Sequence, residues 1–500
     1  MKFEITMKFV DESGQEVTNP LVVDTPVPDF DDFHDANDFL PVFDQLEKAG
    51  LKLRDQSFAA ALSQYLEELS KKKLFGYKKV KKNSSYIIES EAGKLSLHLF
   101  ACVQNHKPDS VFPILCKNQH LLSLSYQELS MQMCSITSYR NAVAILNRMI
   151  RRGTQDSISL RTLSDFIVKA GEEIAAYQET FAEQVLEEHG FDPEHVVPNS
   201  PPRNEIARPQ TKEIPQSRVE KAVTACNRTR TEQEKVEPIR LQMRLEEPCQ
   251  TTYVSIDEIG VTRQKDSRTK ESARDTKYVE NTVVQITHGI GKYVFAGVEM
   301  KRVMKTLLAF LLFHDLLVDK DLVFFTDGAR NLRNSIETLF AFRPYTIILD
   351  WYHLEKKCRE YLSSALRGKA IRDQILEKVL SYLWVGNTEM ATVFLLGLGE
   401  DKVRNRDWLE NLVKYLDRNY SYIPCYALRK ELGLKNSSNL VEKANDMVVA
   451  QRQKHNGMSW SRKGSAALSH IRAVYLNGEQ EAWNQTKSLR FCMFETEICA

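Results

Sequence analysis

Apolar and polar residues alternate with a period of two in several short runs of this 500-residue chain and with a helical period in the longer stretches between them. The opening MKFEITMKFVDESGQ alternates and carries acids, which predicts a strand and not a signal peptide. Residues 1–55 are acid-rich, with Asp29, Asp31, Asp32, Asp35 and Asp38 close together, and read as a solvated arm. Helical spacing begins near Ser57, a basic run KKKLFGYKKVKK follows at 71–82, and SYIIESEAGKLSLHLFAC at 85–102 reads as strand. From 124 to 188 the pattern is helical again, so 56–190 is expected to be a mainly helical region.

Within that region SYRNAVAILNRMIRRG (138–153) offers Ala142, Ala144, Ile145 and Met149 to a core and sets Arg140, Arg148, Arg151 and Arg152 elsewhere, with no acid in the segment. Gly153 ends that helix, and Ser159 is placed to N-cap the next one, LRTLSDFIVKAG. Two short helices, a turn and a basic face fit a helix-turn-helix unit for DNA, and they equally fit any small helical bundle.

Six of the sixteen prolines fall in FDPEHVVPNSPPRNEIARPQTKEIP (191–215), which predicts an extended linker; with its connector it spans 191–248. Beyond it the period changes. TYVSIDEIGV (252–261), KYVENTVVQITHG (277–289) and KYVFAG (292–297) read as three strands in series. A helix over 300–317, the strand-like DLVFFTDGA, a helix over 330–342 and the strand YTIILD (345–350) follow. Strands in series and then helix alternating with strand suit a mixed α/β sheet with a parallel portion covered by helices over 249–366. Residues 367–435, with Trp384 and Trp408, read as an all-α insertion, and 436–500 return to the sheet domain as helices.

The most apolar run, VMKTLLAFLLFHDLLV at 303–318, is too short for a bilayer and is broken by Lys305, His314 and Asp315, so it is read as a buried helix and no membrane partner is expected. The net charge of +1 points to no polyanion, so a nucleic-acid surface would need local segregation of charge. The nine cysteines are scattered without a CxxC pair, which argues against a zinc ribbon and fits reduced thiols.

The candidate chemistry lies in the acids of these strands, with Asp257 near the middle of its strand and Asp327 and Asp350 at the ends of theirs. Asp257 and Asp327 are expected on neighbouring strands, at the carboxyl edge where parallel sheets carry their sites. Two carboxylates so close repel unless a cation neutralises them. Magnesium, a hard ion that keeps open positions, suits such a pair. Two such ions about 4 Å apart activate a water or a 3′-hydroxyl and stabilise the leaving oxygen in phosphodiester displacement. The bland alternative is that Asp327 simply opens a DGA turn. Asp350 likewise reads either as a site residue or as the N-cap of WYHLEKKCREYL, with His353 on that helix's first turn.

The segments SIDEIGV, TDGARN, ILDWYHLEKK, VEKANDMVVAQRQKHNGMSW and SAALSHIRAVYLNG occur in that order over about 250–485. In these the sequence resembles the DDE transposases of bacterial insertion sequences, most closely the ISKra group and more distantly Mutator-like transposases. The resemblance implies a ribonuclease H-like core with a helical insertion, preceded by a mainly helical DNA-binding region. It implies Asp257, Asp327 and Glu442 as catalytic, metal-binding acids, and Asp350 and His353 as a signature near the site. It also implies two magnesium ions, for which manganese substitutes. The expected partners are double-stranded DNA, as terminal inverted repeats and target, and further copies of the chain. A bacterial protein at the nucleoid, in the cytoplasm, is the matching location.

Glu442 shares a helix face with Asn445 and Asp446, and the acid-free 451–475 supplies Arg452, Lys454, Arg462, Lys463 and Arg472 as phosphate contacts beside Arg148, Arg151 and Arg152. Trp460 is expected to pack. Two rival readings stay open: a nuclease of the same fold that never joins strands, and a DNA-binding protein that has lost catalysis.

Overall fold

The computed structural model describes residues 2–8, 10, 12–16, 20–26, 40–71, 77–90, 93–104, 107–111, 120–149, 158–202, 204–207, 213–236, 245–264, 277–437, 443–454 and 458–495. The chain forms two compact units, Met1–Leu163 and Ser164–Ala500.

In the first unit the alternating opening forms a strand, Lys2–Met7, paired antiparallel with Leu21–Pro26, so part of the stretch expected to be an arm is sheet. The five clustered aspartates lie outside the described residues. Helix Leu40–Lys71 follows. The region expected to be mainly helical also contains a four-stranded sheet, in which Tyr77–Ser90 pairs with Gly93–Gln104 and with His120–Leu122, and Lys107–Val111 forms the outer strand. Its long hairpin sets the β-branched and aromatic run of SYIIES against KLSLHLF, where Leu95, Leu97 and Leu99 alternate with polar residues.

Helix Tyr139–Met149 buries Ala142 and Leu146, one turn apart. Ile145 and Met149 were expected in the core but are 39% and 58% exposed, because the inward stripe passes through Leu146 instead. Ser159 does cap the next helix: its hydroxyl accepts from the Thr162 N–H at 3.0 Å. That helix, Leu160–Glu188, has 29 residues and not the few of a recognition helix.

In the second unit Phe191, Ile206 and Ile214 of the proline-rich stretch are buried, and the unit accordingly begins upstream of it. The strands of its sheet are numbered from the first: β1 (Thr251–Thr262), β2 (Tyr278–His288), β3 (Gly291–Gly297), β4 (Asp321–Thr326), β5 (Thr346–Leu349) and the short β6 (Phe494–Glu495). Their spatial order is β5-β4-β1-β2-β3-β6. β1, β2 and β3 run antiparallel in series, whereas β4 pairs parallel to both β1 and β5. Helix α1 (Met300–Phe313), buried from Val303 to Leu312, connects β3 to β4, and α2 (Arg330–Leu339) connects β4 to β5. Parallel neighbours require such crossovers.

Helices α3 (Trp351–Ala365), α4 (Lys369–Trp384), α5 (Thr388–Leu396), α6 (Arg406–Arg418) and α7 (Tyr426–Glu431) follow β5. They do not close a core of their own. Tyr253, Val323, Phe325 and Ile348 of the sheet belong to one buried cluster with Leu354, Leu376, Leu395, Leu412 and Tyr426 of the helices. The helical stretch is therefore the cover of one sheet face, and its position is fixed by apolar burial. Helix α8 (Arg462–Leu476) is tied to β2 by hydrogen bonds between Asn281 and the hydroxyls of Ser465 and Ser469. Among the described residues no helix is long and apolar enough to cross a membrane.

Candidate active site at the sheet edge

The register of β4 on β1 runs from Asp321 opposite Thr251 to Phe325 opposite Ser255. Two residues further along each strand stand Asp327 and Asp257. Neighbouring strands lie about 4.8 Å apart, so the two carboxylates begin from adjacent backbones. Both are in phase with Phe325 and Tyr253, whose rings stack at 6.0 Å on the face the helices cover. The same count on β5, where Leu349 lies opposite Thr326, puts Asp350 opposite Asp327. Three adjacent strands thus bring an acid to one place, at the ends of β4 and β5 and in the middle of β1.

The three acids differ in what holds them. Asp350 is 1% exposed, and its Oδ1 accepts from the backbone N–H of Tyr352 at 2.8 Å and of His353 at 3.2 Å. The Ser437 hydroxyl donates to its Oδ2 at 3.1 Å. Of the two readings of Asp350, the cap is the one its geometry displays.

Of the two readings of Asp327, the turn is the one its hydrogen bond displays. Its Oδ1 accepts from the Ala329 N–H at 2.8 Å, which makes the turn, while its charge acts on Asp257. Gly328 completes that turn at φ +85°, and a Cβ there would come within 3.0 Å of Leu349 and 3.3 Å of the Asn419 side-chain oxygen. Glycine is what this close approach requires.

Asp257 is half-buried. Its Oδ1 accepts from the Glu258 N–H at 2.8 Å, and its Oδ2 accepts from the Asn445 Nδ2. Burial pushes its carboxyl above the ordinary range; the charge of Asp327 adds to the rise, and His353 opposes it. Glu258, one residue on and out of phase, accepts from Asn331 at 2.6 Å and is likewise raised, by burial first and then by Glu280, Asp327 and Asp257.

A carboxyl whose folded pKa exceeds its unfolded value contributes stability that is fully present below the unfolded pKa and is lost as pH rises through the folded one. In cation-free protein the Asp257 contribution therefore falls as pH climbs from the acid range toward neutrality. We expect Asp257→Asn to abolish that slope, so that the variant melts above the wild type at pH 7 by more than at pH 4. Calorimetric scans at the two pH values check it. An equal difference at both would show that the carboxyl is not raised.

Around the site, the chain before and after the undescribed stretch 438–442 is anchored at this same edge. Ser437 bonds Asp350 on one side, and Asn445 bonds Asp257 on the other. Glu442 itself lies outside the described residues, as do Arg151 and Arg152. Among the described residues no three His, Cys, Asp or Glu side chains form a group able to hold a metal ion. The donor chemistry of the Asp257–Asp327 pair nevertheless suits a hard divalent ion, which takes one or two carboxylates and completes its shell with water and substrate oxygens.

Two basic side chains expected to meet a phosphate backbone are instead inside the fold. Arg452 is 2% exposed and lies over the Trp460 ring at 4.9 Å. Arg472 is partly buried, donates to the Met447 carbonyl, and is lowered by burial. Trp460 itself packs: its indole N–H donates to the Gln453 carbonyl at 2.9 Å, and its backbone bridges to Arg263 at the end of β1. Lys454 is exposed. Arg462 and Lys463 are exposed but stand beside acids, Arg462 at 4.0 Å from Glu299 and Lys463 at 3.1 Å from Glu172. Arg148 is exposed on the last turn of its helix in the first unit.

Sequence reasoning placed Asn445 on the face of Glu442 without giving it a role, and did not single out Asn281 or Gln453. Gln453 bonds Ser465 and Ser469, which bond Asn281, so a buried polar network joins the segment carrying Asn445 to β2. Their signal is a polar residue at a position where the period calls for an apolar one.

No family model matches the chain, and no curated protein does. A solved structure, the Drosophila P element transposase strand transfer complex, aligns over 74% of this chain and 83% of that chain with 11% identity and a TM-score of 0.22. At that score the alignment bears on neither the fold nor the activity.

Proposed function

We propose that the chain is a DDE-type DNA transposase with a ribonuclease H-like core. The observation that carries this reading is the pair Asp257 and Asp327, which follow each other across adjacent strands of a sheet ordered β5-β4-β1-β2-β3 and repel without an arginine or lysine ion pair among the described residues. Nothing in folding rewards such a pair, whereas phosphodiester chemistry needs one.

In this reading Asp257, Asp327 and Glu442 hold two divalent ions, magnesium or manganese. When bound, the ions neutralise charge on the scissile phosphate and stabilise the leaving oxygen. His353 favours the ionised form of Asp257, and Asp350 fixes the start of α3 that carries His353. The anchors at Ser437 and Asn445 support Glu442 as the third acid, since the chain enters its stretch beside Asp350 and leaves it beside Asp257. Lys454 and Arg148 remain as exposed contacts for DNA phosphates. Two steps use the same site: hydrolysis frees a 3′-hydroxyl at the element's end, and that hydroxyl then attacks a target phosphodiester with loss of the target's own 3′-oxygen. By analogy with transposases, copies of the chain act together on paired ends.

The test uses the full chain with labelled duplexes taken from the DNA that flanks its gene. Magnesium-dependent nicking followed by joined products of higher mass supports the transposase. Nicking without joining, also when pre-cleaved ends are supplied, replaces it with a nuclease. Binding without any cation-dependent cleavage replaces it with a non-catalytic DNA-binding protein.

A further inference from the structure

We propose that Asn445 belongs to the cation site as a positioning residue for Asp257 that becomes an oxygen ligand when the ion is present. The inference rests on the reading of Asp257 and Asp327 as a divalent-cation pair.

Two independent observations lead to it. The Asn445 Nδ2 donates to the Asp257 Oδ2, and the side chain is only 6% exposed. Its other polar atom, Oδ1, is buried without a hydrogen-bond partner among the described residues. A buried amide oxygen left without a donor is costly, and native structures pair nearly all such atoms. An unsatisfied acceptor next to a half-buried carboxylate is where a ligand is missing.

The backbone beneath Asn445 is held firmly. A π-helical turn, Asp446–Ala450, begins at the next residue, and such turns occur often at functional sites. One turn later Gln453 is locked by Ser465 and Ser469, and both serines bond Asn281 of β2. Asn281 faces Ile259, two residues from Asp257 on β1. The network therefore sets the height of Asn445 against the very strand that carries the carboxylate.

The chemistry of the amide completes the case. Nitrogen and oxygen occupy nearly equivalent positions, and a half-turn of the terminal torsion exchanges them. Without a cation the NH2 faces Asp257, since two oxygens would repel. With a cation between them the oxygen faces it, and carboxamide oxygens are ordinary ligands of hard divalent ions. Asn445 so holds Asp257 in one orientation in both states and relieves the repulsion that would otherwise turn its carboxylate away.

The experiment titrates Mn2+ into the full chain and its variants, followed by the loss of the free-ion paramagnetic resonance signal, with melting curves to establish that each variant folds. Asn445→Ala is expected to weaken binding by about tenfold, the effect of losing a supporting group at a metal site. Asn445→Asp restores an oxygen and is expected to stay close to the wild-type value, while melting lower than wild type when no cation is present. Asp257→Asn serves as the control that removes the site. If Asn445→Ala binds as the wild type does, or if the alanine and aspartate variants weaken equally, Asn445 is only a packing residue and the inference falls while the cation pair stands. If the wild type binds no Mn2+ and neither does Asp257→Asn, the cation reading itself falls and takes this inference with it.

Discussion

Asp327→Asn is expected to lower divalent-cation-dependent DNA cleavage by roughly 10^3-fold or more, the scale seen when one member of a catalytic set is removed. The fold is expected to survive intact. The asparagine oxygen still accepts from the Ala329 N–H, so the turn through Gly328 is unchanged. What disappears is the charge, and with it the repulsion on Asp257. Cation-free protein should therefore be at least as stable as the wild type, and DNA binding measured by gel shift should persist. Asp327→Ala separates the two functions of this side chain. It removes the charge and the turn hydrogen bond together, and is expected to be equally inactive but less stable by about 1 kcal/mol. Magnesium-dependent cleavage by Asp327→Asn at near wild-type rate would end the assignment of a catalytic carboxylate.

The sheet was legible because its strands declare themselves locally. VFFTDG and TIILD are runs of branched and aromatic residues bounded by turn chemistry, and they form β4 and β5 where the period predicts. The acids at their ends were legible for the same reason. What the local pattern does not contain is the choice among acids. Asp327 and Asp350 both end a strand and open a helix, yet only Asp350 finds two backbone N–H groups and a serine.

Long-range contacts explain the other departures. An arginine in an acid-free helix reads as surface, but Arg452 is covered because Trp460 returns to bridge the end of β1 and offers its ring. Residues 85–102 read as strand and form most of the hairpin Tyr77–Ser90 with Gly93–Gln104, but its parallel pairing with His120–Leu122 is not contained in the local pattern. The polar trio Asn281, Gln453 and Asn445 is invisible to a pattern that counts only apolar positions.

Arg429→Ala is expected to destabilise the unit Ser164–Ala500 by about 3–5 kcal/mol, because it would leave a carboxylate buried without its partner. Arg429 is 3% and Glu246 6% exposed at the side chain, and the two form an ion pair. The guanidinium also donates to the Lys435 carbonyl through Nε at 3.1 Å and Nη2 at 2.9 Å. It thereby joins three parts of the site's support: helix α7, the chain that enters β1 ahead of Asp257, and the turn that delivers Ser437 to Asp350. Denaturant midpoints read the loss, with the slope unchanged if the fold is the same. The pair itself stabilises less than this number suggests, since much of the loss is the desolvation of the stranded Glu246. Replacing both members, as Glu246→Leu with Arg429→Met, is accordingly expected to recover most of the stability. Recovery of stability without recovery of cleavage would show that the Lys435 carbonyl contact positions the 435–437 turn. A single variant that loses less than about 1 kcal/mol would mean that water reaches Glu246 and that the pair is an ordinary surface bridge.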